Sequence, residues 1–304
     1  MRFEALFNDW SKRHLTQEEA ACLLGVSERT FRRYCRAYEA KGAEGLYDKR
    51  LERYAHNAAP VDEVMRLLTL FKTKYVNFST AHFYDLYKEA HAGVRSYNWV
   101  RKTLQSHGLV QPFKQRGKHR RKRPRSPMAG MMLHQDGSTH EWIAGHQWDL
   151  IVTMDDATNE IYSGFFVEEE GTQSSFQGVQ AVIEKRGLFC SLYTDRGSHY
   201  WHTPKAGGRV DKAQLTQFGR AMNQLGIEMI PAYSPEARGR SERVFGTLQQ
   251  RLPKELVLNG IKTLEEANHF LQTVYWPRHN KRFAVKPVDK RSAFVPWFIP
   301  TTHE

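Results

Sequence analysis

The 304 residues carry a net charge of +12, with 40% hydrophobic and 12% aromatic side chains. That is the length of roughly two domains of ~150 residues, with enough apolar material for packed cores. No run nears the ~18 apolar residues of a membrane span, and Met1-Arg2-Phe3-Glu4, followed by Asp9 and Lys12, is too charged for a signal peptide; membrane partners are excluded and a cytoplasmic protein is expected.

The charge is unevenly placed. Residues 1–125 hold 26 basic and 13 acidic side chains, whereas residues 126–304 hold 19 and 20. A basic N-terminal part joined to a near-neutral remainder is the pattern of a polyanion-binding arm attached to a separate chemical unit. Cys22, Cys35 and Cys190 form no C-x-x-C pair, so neither a disulfide framework nor a zinc ribbon is expected, and the first two read as small packing residues.

In chain order, Thr16-Gln17-Glu18-Glu19 is a capping-box pattern for a helix through Leu24, with Gly25 as its stop. Ser27 caps a second helix to about Ala40, in which Phe31, Tyr34 and Tyr38 recur at helical spacing. This predicts a helix-turn-helix domain over residues 1–55, with Ser27, Arg29, Thr30, Arg32, Arg33 and Arg36 offered to DNA. Residues 41–60 read as a linker. A second helical, winged-helix or helix-turn-helix-like domain is expected over 60–112. Its apolar stripe is Val64, Leu67, Leu68 and Phe71, its caps are Ser79 and Ser96, and Arg101 on its last helix is a further DNA contact.

A basic linker follows over 113–128. Lys114 to Arg125 holds eight Lys or Arg in twelve positions and no acid, so it cannot bury itself, and contact with phosphates would order it. Lys118, Arg120, Arg121, Lys122 and Arg123 are its predicted DNA contacts.

From Met131 the pattern changes to alternating strands and helices. Strands are expected at Met131–Gln135, Trp148–Met154 and Ile161–Glu168, the second almost continuously apolar and therefore central. A helix from Thr172 to Arg186, a strand at Phe189–Thr194, a helix near Gln214–Leu225, a strand at Ile227–Pro231 and a helix from about Ser241 complete the run. Three antiparallel strands followed by helix, strand, helix, strand and helix describe an α/β, RNase H-like mixed five-stranded sheet flanked by helices, preceded by all-α helix-turn-helix domains. The core is expected over 129–282, with a tail over 283–304.

Three carboxylates stand out in this region. Asp136 interrupts the first strand, Asp195 follows the fourth, and Glu242 opens the last helix. Hard oxygen ligands of this kind suit two Mg²⁺ ions, with Mn²⁺ as a substitute, and two such ions are the usual apparatus for in-line attack on a phosphodiester. Each acid alone has a plainer account: Asp136-Gly137 and Asp195-Arg196-Gly197 as turns, Glu242 as a helix N-terminal charge. Asp155 and Asp156 read as a turn, Glu168-Glu169-Glu170 as a solvated strand end, and Glu236 as a second choice for the third ligand. His199 and His202 lack cysteine partners for zinc. Arg238, Arg240 and Arg243 stand near Glu242 in sequence, placed for phosphates.

The motifs Leu133-His-Gln-Asp-Gly-Ser138, Tyr193-Thr-Asp-Arg-Gly-Ser198 and Ala232-Tyr-Ser-Pro-Glu-Ala-Arg-Gly-Arg-Ser-Glu-Arg243 resemble those of DDE transposases and retroviral-type integrases, with wording similar to the ISNCY group of bacterial insertion-sequence transposases. The resemblance runs from Met131 to about Arg282 and extends to the helix-turn-helix. It implies catalytic and metal-binding roles for Asp136, Asp195 and Glu242, double-stranded DNA (element ends and target) as partner, a homo-oligomer assembled on DNA ends, and a bacterial, nucleoid-associated location. Two departures accompany it. Asp195 and Glu242 are 47 positions apart, longer than in retroviral-type integrases, with His202–Lys212 as an inserted loop. The chain also ends soon after Phe294-Val295-Pro296-Trp297, where related transposases carry a further small β domain. The expected function is thus end cleavage and strand transfer, with a truncated, catalytically impaired DNA-binding remnant and an RNase H-like nuclease as alternatives.

Overall fold

The computed structural model describes residues 2–48, 59–112, 123–205, 208–233 and 235–297. They fall into two compact units, Met1–Thr69 and Leu70–Glu304.

In the first unit, α1 (Arg2–Ser11), α2 (Gln17–Leu24) and α3 (Glu28–Lys41) surround Phe3, Ala20, Ala21, Phe31 and Cys35. The expected caps are present. Thr16 and Glu19 close a reciprocal capping box, Ser27 accepts from the Thr30 N–H, and Gly25 takes the left-handed conformation (φ 77°) that ends α2 and starts the turn. Helix α1 was not foreseen from the sequence; its Phe3 stacks on Phe7 and meets Phe31, Tyr34 and Tyr38, supplying an aromatic lid to the helix-turn-helix core. Cys35 is buried as expected, but Cys22 is exposed, because it falls on the outer side of α2 from Ala20 and Ala21. Helix α4 (Val61–Lys74) crosses the boundary between the units.

In the second unit, α5 (Thr80–Ala90) and α6 (Tyr97–Ser106) are capped by Ser79 and Ser96. Five strands follow: β1 (Leu133–Ile143), β2 (His146–Asp155), β3 (Ile161–Val167), β4 (Ser191–Thr194) and β5 (Glu228–Pro231), ordered β3-β2-β1-β4-β5. The first three are antiparallel neighbours, while β4 runs parallel to β1 and β5 parallel to β4. Helix α7 (Thr172–Arg186) connects β3 to β4, and α8 (Gln217–Gln224) connects β4 to β5. Helices α9 (Pro235–Leu258), α10 (Leu264–Phe270) and α11 (Trp276–Phe283) close the unit. This is the RNase H-like mixed sheet flanked by helices.

Three expectations are corrected. Strand β1 is eleven residues long, so Asp136-Gly137 lies inside a strand and not in a turn, with Asp136 opposite Val152. β1 also takes the middle of the sheet; β2, the strand expected there, is its neighbour and is likewise interior. Helix α9 starts at Pro235, so Glu242 lies two turns inside it; a proline's fixed φ suits a first helical turn, and Pro235, which reads as loop, is the helix start. The chain after Phe283 is also held to the core, through Ala293 N–H to Ala129 O and Val295 paired with Leu188.

Two apolar layers sandwich the sheet. One joins Trp142, Trp148, Leu150 and Phe166 to Phe245, Leu248 and Leu252 of α9. The other joins Leu133 and Leu192 to Val179 and Val182 of α7 and Phe218 of α8.

Candidate active site

The β1–β4 register aligns Leu133 with Leu192 and His134 with Tyr193. Asp195 directly follows β4; carried two residues past the last aligned pair, the register brings it level with Asp136 of β1, neighbouring strands of a sheet lying about 4.8 Å apart. Asp136 is buried at 8% exposure and Asp195 is half-buried. An Asp195 oxygen accepts the Gly197 N–H at 2.9 Å, turning the chain sharply after β4.

Side chains alternate across a strand, and contacts fix which face each β1 residue takes. Gln135 donates to Thr153 Oγ1 and to Ser175 O of α7, so odd-numbered residues face α7. Ser138 accepts from Gln249 of α9 at 2.9 Å, and Trp142 packs with Phe245 and Leu248, so His134, Asp136 and Ser138 face α9. On that helix Glu242 lies seven residues, or two turns, before Gln249 and therefore on the same stripe. Glu242 is exposed, however, and among the described residues no three His, Cys, Asp or Glu side chains stand close enough to enclose a metal ion. The donor chemistry, oxygen only, fits a hard divalent cation: Asp136 on β1, Asp195 directly after the neighbouring strand β4, and Glu242 on the facing helix stripe.

Asp156, read from sequence as part of a turn, has a larger place. Asp155 does make the turn, accepting from Thr158 and from the Gly130 N–H. Asp156, fully buried, instead gathers three segments. It accepts from the Ser126 N–H (2.7 Å) and hydroxyl (3.0 Å), pairs with His134 Nε2 at 2.7 Å, and pairs with Arg123 and Arg240. Burial alone would raise its pKa, but the hydrogen bonds from His134, Ser126 and Arg240 hold the carboxyl well below the usual range.

On the α7 side, Glu170 is no solvated strand end. Its carboxylate lies where a Cβ on Gly137 would be, and it approaches His199 Nε2 at 3.5 Å. The nearby Tyr200 hydroxyl donates to Gln135 Oε1. Its pKa is raised well above the ordinary value, first by burial and further by the charges of Glu170, Asp195 and Asp136. Two of the predicted ligands and Glu170 therefore bear on one buried hydroxyl. The signal available in sequence was Gly137 itself, the small residue that lets Glu170 approach.

The predicted DNA contacts divide by place. Arg29, Arg32, Arg33 and Arg36 are all exposed and, at spacings of three and four, form one stripe of α3 opposite buried Phe31 and Cys35. Ser27 and Thr30 are joined hydroxyl to hydroxyl at 3.0 Å at the start of that helix. Arg101 is exposed on α6 and Arg243 on α9. Arg123 and Arg240 are engaged with Asp156. Lys118, Arg120, Arg121 and Lys122 lie outside the described residues, as does the side chain of Arg238.

Residues 6–53 match the family model of a helix-turn-helix domain. The chain is 28% identical, over 89% of its length, to the transposase for insertion sequence IS1202 of Streptococcus pneumoniae, and 31% identical, over 90% of its length, to the "Putative transposase y4bF" of Sinorhizobium fredii. It spans 65% and 60% of the length of these relatives. Among solved structures, the HTLV-2 integrase catalytic core domain in complex with magnesium matches with a TM-score of 0.38 and 17% identity, over 48% of this chain and 84% of that one.

Proposed function

We infer that a chain akin to insertion-sequence transposases along nine-tenths of its length works as one: a DDE-type polynucleotidyl transferase that binds the terminal repeats of an element, cuts the DNA at its end and joins it to target DNA. The observation that carries this reading is the parallel β1–β4 register, which places Asp136 inside β1 close to the end of β4 that Asp195 directly follows, with Glu242 on the facing helix stripe, in a chain that also carries a helix-turn-helix with an exposed arginine face.

In this reading Asp136 and Asp195 would hold divalent metal, Mg²⁺ or Mn²⁺ and two ions in the full site, and Glu242 would complete the ligand set from α9. A metal held there would supply the activation of the nucleophile and the stabilisation of the leaving 3′ oxygen. The chain's own residues supply the rest. The α3 arginines and Arg101 hold phosphates of the element end, the basic linker follows the backbone, and Arg243, one residue beyond Glu242, meets the phosphates flanking the scissile bond. Two DNA ends must be joined to one target, so a homo-oligomer on paired ends is the working form.

The test is Mg²⁺-dependent cleavage and joining of a labelled duplex carrying the element's own terminal repeat, with the chain compared to Asp195→Asn. Joined product from the chain and none from the variant supports the reading. The exposed position of Glu242 favours a second one, a DNA-binding protein without catalysis, for which specific binding with no cleavage by either protein is the expected result.

A further inference from the structure

Asp156 grips both the segment that precedes Asp136 and the segment that precedes Glu242. His134, on β1 two residues before Asp136 and on the same face, pairs with its carboxylate at 2.7 Å. Arg240, on α9 two residues before Glu242, reaches the same oxygen. The Asp156 N–H also donates to Met132 O at 3.0 Å, so the backbone holding the carboxylate is fixed to the start of β1. Farther along, Gln249 and Ser138 tie α9 to β1 a second time. Asp136 and Glu242 both lie between these two ties. The Gln249–Ser138 tie is a single neutral hydrogen bond; the Asp156 tie is a buried, charge-assisted cluster, the stronger kind.

The geometry points to Asp156 as the positioning residue of the candidate metal site: one buried carboxylate that sets helix α9 against strand β1 and so sets the distance from Glu242 to Asp136. The inference rests on the metal-site reading given above. It explains why an aspartate is buried among two arginines and a histidine in a place where a turn alone needs no such partner. A buried charge of this kind costs more than it returns unless its partners are held in place, and here the partners belong to the two elements that a three-carboxylate site must align. The linker end is secured by the same group through Ser126 and Arg123, which makes Ser126 an internal control, since it touches Asp156 without joining β1 to α9.

The experiment is Mn²⁺ titration of the full chain followed by electron paramagnetic resonance, with circular dichroism and a urea midpoint on each variant. Arg240→Gln is the deciding variant. Removing a positive charge near a cation site strengthens cation binding on Coulomb grounds, so a loss of affinity has to come from position. Weakening of about tenfold, the lower end for groups that orient metal ligands, is expected in Arg240→Gln and in Asp156→Asn. The double variant should be no weaker than the worse single one, because both break the same tie. Ser126→Ala should bind Mn²⁺ like the parent chain. Parent-like affinity in folded Arg240→Gln, alongside reduced affinity in Asp136→Asn, overturns the positioning role. Unchanged affinity in Asp136→Asn overturns the metal-site reading itself, so the two failures are told apart. Should Asp156→Asn not fold, Arg240→Gln decides alone, its side chain being partly exposed and at the helix surface.

Discussion

Asp136 lies inside β1 two residues beyond the His134–Tyr193 pair, and Asp195 lies two residues beyond the same pair, directly after the end of the parallel strand β4. Two carboxylates on neighbouring segments favour a divalent cation between them. Neutralising one removes a metal donor. Asp136→Asn is expected to lower divalent-ion affinity at least ~10-fold. Scanning calorimetry without and with Mg²⁺ checks this, and a variant that gains as much from Mg²⁺ as the parent chain would sink the ligand assignment.

The arginine stripe of α3 allows a cleaner electrostatic experiment. Arg29, Arg32, Arg33 and Arg36 are exposed on one face, while their helix is anchored by Phe31 and Cys35 on the other, so truncation should leave the fold intact. Arg32→Ala and Arg33→Ala are each expected to weaken DNA binding and to reduce the slope of log affinity against log salt by about 0.9 for each phosphate no longer neutralised. Fluorescence anisotropy between low and moderate salt reads the slope directly. A slope unchanged in both variants would place the DNA on another face.

Much of this was legible in the sequence because it is local. The caps at Thr16, Ser27, Ser79 and Ser96 and the β2 apolar run are decided by neighbours within a few residues, and each is found where the pattern sets it. The strand that carries Asp136 and the strand that Asp195 follows were legible for a related reason, although β1 runs on to Ile143, well past the Gln135 at which its apolar run stops. Asp156 and Glu170 were not. What distinguishes Asp156 from Asp155 is a set of partners 30, 22 and 84 positions away, and no periodicity carries that information. The start of α9 was misplaced because Ser-Pro reads equally as a loop and as a first helical turn, and the choice is made by packing of Phe245, Leu248 and Leu252 against the sheet.

Packing between β3 and the C-terminal helices gives a stability prediction independent of function. Gly164 on β3 faces Trp276, whose indole N–H donates to Gly164 O at 2.7 Å; a Cβ at that position would lie 2.5 Å from the ring. The ring cannot retreat, since Trp276 is buried among Phe270, Leu271 and Tyr275. Gly164→Ala should cost about 1–3 kcal/mol by overpacking, read as a lower urea midpoint at unchanged slope. A neutral result would mean that α11 can shift as a body without loss.

Acid sensitivity should come from the buried histidines of the same region. His279 lies between the rings of Tyr275 and Phe283; burial first, and then the charge of Arg251, bring its pKa down to about 4, against about 6.5 in an unfolded chain. Between those two values the unfolded chain takes up a proton that the folded chain refuses, so stability is full above about pH 6.5 and falls as the pH drops toward 4. The slope is at most about 1.4 kcal/mol per pH unit for one such proton. His82, brought down to about 3 chiefly by burial, adds to the fall in the same direction and continues it to lower pH. His279→Gln should therefore flatten the decline of the thermal midpoint between pH 6.5 and 4 without abolishing it. An equally steep decline in the variant would show that the ring already takes up its proton in the folded chain.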